Sequence, residues 1–270
     1  MTSHFRIRTK SGAFGFIRTI GFCFAFTGGP GALPYLFEVL DTPSDNRRWA
    51  WAWGWKEALP TEKRIFYGRV IARKPTFVSM GFLPHFFALT GNVGDPDDCR
   101  RLYDAGRLTT FGRRVYELVG ARGPLTTREI RAAVEPHRTG SSGRLLRALA
   151  ELQSRFLLAR IAEVGDNPGN YAYVWDLFDR WLPEIVARAR GISQRCAAAA
   201  LLEQYARIAG APRPEDAAAL FEWSPSLLAT ALADVRRGGE ISVVRGPEGE
   251  DRLVATRRLR RLQSGRNARR

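Results

Sequence analysis

The side chains suited to acid–base, nucleophilic or metal chemistry are sparse and scattered along this 270-residue sequence. The three histidines, His4, His85 and His137, lie far apart, and none belongs to a His-x-x-x-His pair. Cys23, Cys99 and Cys196 are widely separated and odd in number. They give neither a disulfide framework nor zinc-ligand spacing, so reduced thiols, no metal and no cofactor are expected. No Gly-x-Ser-x-Gly elbow or phosphate loop is present. Three carboxylates, Glu38, Asp41 and Glu57, flank an aromatic-rich segment. A carboxyl can serve as acid or base only if folding brings it a partner, which the sequence does not supply. Glu38 and Asp41 are the candidate catalytic residues on position alone.

Arginine offers a different chemistry. Lysine and arginine total 42 against 27 acidic residues, a net charge of +15, and only Lys10, Lys56, Lys63 and Lys74 are lysines. A genome rich in G and C would give the same arginine bias. Yet the planar guanidinium matches phosphate oxygens and guanine edges, and the positive field favours a polyanion. The expected partner is double-stranded DNA, damaged or intact. No stretch approaches the 18 or so apolar residues that a membrane helix needs, and Arg18 interrupts the apolar Phe14 to Phe26 with no cleavage-site pattern after it. A cytoplasmic, nucleoid-associated protein is expected, with no membrane.

The elements that would position these arginines are legible from Thr109 onward. Thr109-Thr110 caps a helix reaching about Gly120, Gly123-Pro124 breaks it, and Thr126-Thr127-Arg128-Glu129 opens a second. Leu145, Leu146, Leu149, Leu152 and Phe156 recur at helical spacing in a third, opened by Ser141-Ser142. Leu157 to Val164 and Tyr171 to Trp175 read as a hairpin about the turn Asp166 to Asn170. This order describes a winged helix-turn-helix. Its third helix carries the candidate DNA contacts Ser141, Ser142, Arg144 and Arg147 at the leading end, with Gln153 and Arg155 toward the far end.

The order recurs in Ser193 to Ala209, Pro214 to Phe221, Ser224 to Arg237 and a hairpin from Glu240 to Thr256. The leading half of that third helix is apolar, so it is expected to pack rather than read. Arg257 and Arg258 open a basic tail suited to sequence-independent phosphate attraction. The expected fold class is mainly α with small β-hairpins (α+β), as tandem winged helices. The expected divisions are an N-terminal region 1–108, winged helices at 109–176 and 177–256, and the tail 257–270.

The N-terminal region is harder to read. Trp49, Trp51, Trp53 and Trp55 alternate as in a strand, with all rings on one face. Such a row would bury itself in the core or stack on unpaired bases. Thr61 to Ala72 reads as a helix, Thr76 to Ser79 as a short strand and Phe82 to Leu89 as a helix, together a third, degenerate copy.

Gly21-Phe22-Cys23-Phe24, the tryptophan segment, Phe66-Tyr67-Gly68-Arg69, Lys74-Pro75-Thr76-Phe77-Val78-Ser79 and Tyr173-Val174-Trp175-Asp176-Leu177 together resemble the AlkZ-like, YcaQ-type winged-helix proteins over roughly residues 14 to 256. The resemblance implies tandem winged helices forming a concave DNA-binding surface. It also implies kinship with DNA glycosylases that release alkylated or crosslinked bases. Those enzymes use a glutamine-apolar-glutamine or glutamine-apolar-aspartate triplet near the N-terminus. Here Gln153, Gln194, Gln204 and Gln263 are the glutamines, none begins that triplet, and the corresponding Gly21 to Phe26 is apolar. The reading is a DNA-binding relative of repair glycosylases. The alternatives are a winged-helix transcriptional regulator and an active glycosylase that uses Glu38 or Asp41 instead.

Overall fold

Apolar side chains at helical spacing bury one face of the first helix, α1 (Lys10–Ile20), through Ala13, Phe16, Ile17 and Ile20. Thr9 caps it by accepting from the Gly12 amide, and Gly21, at φ 84°, lets the chain reverse into β1 (Phe22–Phe24). The computed structural model describes residues 5–137, 143–165 and 171–257. Two short 3-10 turns, Pro30–Ala32 and Leu36–Val39, lead to α2 (Asp45–Thr61), then β2 (Ile65–Ile71), β3 (Lys74–Ser79), α3 (Leu83–Thr90) and α4 (Asp97–Asp104).

Two expectations fail in this region. The tryptophan row is a helix, α2, capped by the Ser44 hydroxyl, which accepts from the Arg47 amide. A two-residue step turns about 200° in an α-helix, so the rings form two opposite pairs. Trp51 and Trp55 stack at 5.4 Å and 15°, while Trp49 and Trp53 occupy the other side. Thr61 to Ala72 is not a helix either: Thr61 ends α2, and the β-branched and aromatic Ile65, Phe66, Tyr67, Val70 and Ile71 form β2.

The later elements follow the sequence reading closely. They are α5 (Thr110–Arg122), β4 (Leu125–Thr126), α6 (Thr127–Val134), α7 (Gly143–Ser154), β5 (Leu158–Val164) and β6 (Ala172–Leu177). Thr126 and Glu129 make the expected capping box at the start of α6. Two helices not foreseen, α8 (Phe178–Trp181) and α9 (Pro183–Ala189), precede α10 (Gln194–Ala209), α11 (Pro214–Phe221), α12 (Pro225–Gly238), β7 (Ile241–Arg245) and β8 (Asp251–Ala255).

Among the described residues the named strands all pair antiparallel, and their order exposes the repeat. β1-β3-β2 and β4-β6-β5 share one topology, in which the strand after the first helix pairs with the last strand of the following hairpin. The N-terminal copy therefore runs from α1 to β3, not from Thr61 to Leu89, and α2 occupies the place that α7 has in the next copy. In the third copy β7 pairs with β8, and Leu253 N–H donates to Pro212 O at 2.9 Å where the first strand of the other sheets lies. The fold is α+β, built from winged-helix units.

The core is unequally shared. One cluster is confined to Cys99 through Trp175, whereas the other joins Ile7 to Leu253 and so fuses the first copy with the third. Phe66, Phe87, Phe156 and Phe178 connect the middle hairpin to the larger core, with Phe87 and Phe178 stacked at 5.3 Å and 14°. Among the described residues no helix is long and apolar enough to cross a membrane.

Buried Gln153 ties α7 to β2, its Oε1 accepting from the Arg69 amide at 3.1 Å. Gln153→Leu leaves that amide without its acceptor and is expected to lower stability by about 1–3 kcal/mol. Urea unfolding measures it, and an unchanged midpoint would remove Gln153 as the tie.

Candidate nucleic-acid interface

The outer face of α7 fronts a basic cleft. Leu145, Ala148, Leu149 and Leu152 turn inward, and the helical period leaves Arg144 and Arg147 exposed. Opposite them the β2–β3 hairpin contributes exposed Arg69 and Arg73, Arg155 lines the cleft from beyond α7, and the end of α11 forms a further wall. The cleft encloses about 890 Å³.

Its acidic residues are already engaged. Glu151 accepts from the Thr109 hydroxyl at 2.7 Å and the Thr109 amide at 3.1 Å, and Glu222 pairs with Arg73 at 3.0 Å. The Arg144 guanidinium lies 4.1 Å from the Phe111 ring centroid, which holds it against the wall. Burial, then repulsion from Arg107, depresses the Arg155 pKa below arginine's ordinary value.

Of the residues expected to contact DNA, Arg144, Arg147 and Arg155 share this cleft. Arg257 is exposed at the last described position, and Ser141, Ser142, Arg258 and the turn 166–170 lie outside the described residues. Arg69 and Arg73 were not anticipated, because their segment reads as a helix rather than a hairpin arm. Helix α12 buries Ala231 and Val235, and Arg195 and Arg237 pair with its Asp234.

A second group of side chains lies where α2 meets the middle hairpin. Lys56 is 1% exposed, and its Nζ donates to Glu163 Oε1 at 3.0 Å and to the Tyr171 hydroxyl at 3.2 Å. Arg160 pairs with the same Glu163 oxygen at 2.8 Å and is held between the rings of Tyr67 and Tyr173, at 4.2 and 4.5 Å.

In a regular strand residues three apart face opposite sides. A β-bulge between Arg160 and Ala162 shifts the register, so Arg160 and Glu163 converge on one face. Glu57 completes the group, 3.7 Å from Lys56 Nζ. Partial burial, then hydrogen bonding to and repulsion from Glu163, raise its carboxyl to about 7. Burial opposes ionisation of Glu163, but the hydrogen bond from Glu57 and the charge of Arg160 hold its pKa below the usual value. The opposite shifts of the two carboxyls favour the proton on Glu57 and the charge on Glu163. Glu57 and Glu163 are 106 positions apart, and only a signal for the bulge could have paired them from sequence.

Beside this group runs a strip of aromatic rings. Trp49 and Trp53 are 48% and 45% exposed, and Phe26 lies between them, 5.8 Å and 25° from the first and 6.1 Å and 30° from the second. Phe26 ends the apolar segment in which Phe22, Cys23, Phe24 and Ala25 are buried. Burial raises the Cys23 thiol far above its ordinary range.

Of the two candidate catalytic carboxylates, Glu38 is exposed on a 3-10 turn. Asp41 accepts from Arg8 Nε at 2.8 Å and forms an ion pair with its other nitrogen at 2.6 Å. Among the described residues no three His, Cys, Asp or Glu side chains are grouped to hold a metal.

Repeated winged-helix units around an arginine-lined cleft define the structural class. A family model described as AlkZ related matches residues 7–222, and the chain belongs to that family. Among solved structures it is similar to the Streptomyces sahachiroi DNA glycosylase AlkZ, at 18% identity and a TM-score of 0.50. That alignment covers 76% of this chain and 56% of the other, so the chain spans little more than half the length of that structure. No curated protein matches the sequence.

The Glu57 pair has a pH signature. Its carboxyl titrates near 7 when folded against an ordinary 4.5, so between those values the folded chain holds the extra proton. Stability contributed by that proton is present below about pH 4.5 and lost as pH rises toward 7. Glu57→Gln is expected to remove this loss. Carboxyl carbon NMR should show a midpoint near 7 in the wild type, and a midpoint in the ordinary carboxylate range would rule out the proton on Glu57.

Proposed function

We propose that this chain is a DNA-binding relative of the repair glycosylases and that it holds double-stranded DNA across the basic cleft. The observation that carries this reading is the convergence of Arg69, Arg73, Arg144, Arg147 and Arg155, from two copies of the repeat, on one concave surface. Helix α7 supplies the groove-facing side chains and the β2–β3 hairpin a second rank of phosphate contacts. Arg257, and Arg258 after it, add attraction that does not depend on sequence. Membership of the AlkZ-related family and likeness to a DNA glycosylase structure support the assignment.

The reading assigns binding rather than base release. Residues 21–26 contain no glutamine, Asp41 is engaged by Arg8, and Glu38 stands exposed. DNA that is distorted or damaged fits a concave surface with two ranks of arginine, because bending brings more phosphates within reach.

Fluorescence anisotropy with intact and alkylated duplexes across a salt series tests the proposal. About five phosphate contacts give a slope near −4.5 in log affinity against log salt. Arg144→Glu with Arg147→Glu is expected to flatten the slope by roughly two contacts and to weaken binding to all sequences. Absence of binding at low salt, or an unaffected double variant, would sink the assignment of the cleft.

A further inference from the structure

The strip of rings on α2 is not used by the cleft. Two tryptophans nearly half exposed on one rigid helix are unusual, since large aromatics are mostly buried. Trp49, Phe26 and Trp53 lie within 30° of parallel from neighbour to neighbour, so the three rings form one aromatic strip with Phe26 between the exposed indoles. Phe37 supports it against Trp49 at 4.6 Å, and Tyr171 extends it from Trp53 at 6.4 Å.

Paired cations back the rings. Lys56 Nζ, buried and paired with Glu163, lies 3.8 Å from the Trp53 ring centroid, and the Arg48 guanidinium, paired with Asp45 at 3.0 Å, lies 5.6 Å from that of Phe37. Glu57 follows Trp53 by four residues and Trp49 by eight, which puts all three on the same helix face. The helix itself holds the position that α7 occupies in the next copy, the one that faces nucleic acid in a winged helix.

We propose that Trp49, Phe26 and Trp53 form a stacking site for an unpaired nucleobase in DNA. The site deepens the DNA-binding reading and rests on it for the duplex that delivers the base. Every base has a π-face, so stacking on the rings tolerates any sequence.

The test compares two duplexes of equal length carrying 2-aminopurine, one with it extrahelical and one with it paired to thymine. Wild type is expected to prefer the extrahelical probe by roughly 5- to 100-fold, the range one base–aromatic stack gives, and to quench its fluorescence. Trp53→Ala and, separately, Trp49→Ala should abolish the preference and the quenching while leaving affinity for the paired duplex unchanged. Trp49→Ala leaves the Lys56 contact intact, so its effect does not reflect a disturbed ion cluster. Equal affinity for both probes, or a preference that survives both tryptophan variants, would overturn the site. If neither duplex binds, the cleft reading fails. A single strand carrying 2-aminopurine then decides the platform alone: quenching that Trp53→Ala removes supports it, and no quenching overturns it.

Discussion

Glu163 sits almost out of water between Lys56 and Arg160, and much of the architecture follows from what such a carboxylate requires. Taking three charged groups from solvent costs several kcal/mol each, which only close pairing and further hydrogen bonds offset. Those partners come from different parts of the chain: Lys56 from α2, Arg160 from the bulged β5, and the Tyr171 hydroxyl from beside β6. Lys56, Arg160 and Glu163 therefore pair in one arrangement of the first and middle copies. A slipped hairpin would leave a cation or an anion buried alone. The same constraint sets the aromatic strip beside the hairpin and fixes where Glu57 meets Glu163.

The readability of the chain divides along physical lines. From Thr109 onward, caps, breakers and apolar spacing agree, and the helices and hairpins lie where those signals place them. Before Thr109 the signals conflict. Tryptophan at every second position fits a strand with one aromatic face and equally a helix with two. The Ser44 cap and the run of alanine, lysine, glutamate and leucine decided for the helix. Thr61 resembled an N-cap but closes α2. The arginines of α7 were visible because they lie on one short helix. Arg69, Arg73 and the Glu57–Glu163 pair were not, because a hairpin and a bulge brought distant positions together. The N-terminal copy emerged only from sheet order.

One plan thus appears with three different third helices. In the first copy that helix carries rings, in the second arginines, and in the third a mix of small and apolar side chains with an acidic residue held by two arginines. The scaffold of strand, helix and hairpin is common to them, and the surface chemistry is not. Architecture of this kind supports several roles without a change of fold.

The division of the core has an evolutionary consequence. The middle copy closes its own apolar interior between Cys99 and Trp175, and Arg144 and Arg147 point away from it. Substitutions on that outer face need no compensating change in the shared interior of the first and third copies. Drift in the chemistry of α7's outer face is therefore decoupled from the selection that preserves the scaffold, and lineages can diverge there while keeping the same shape.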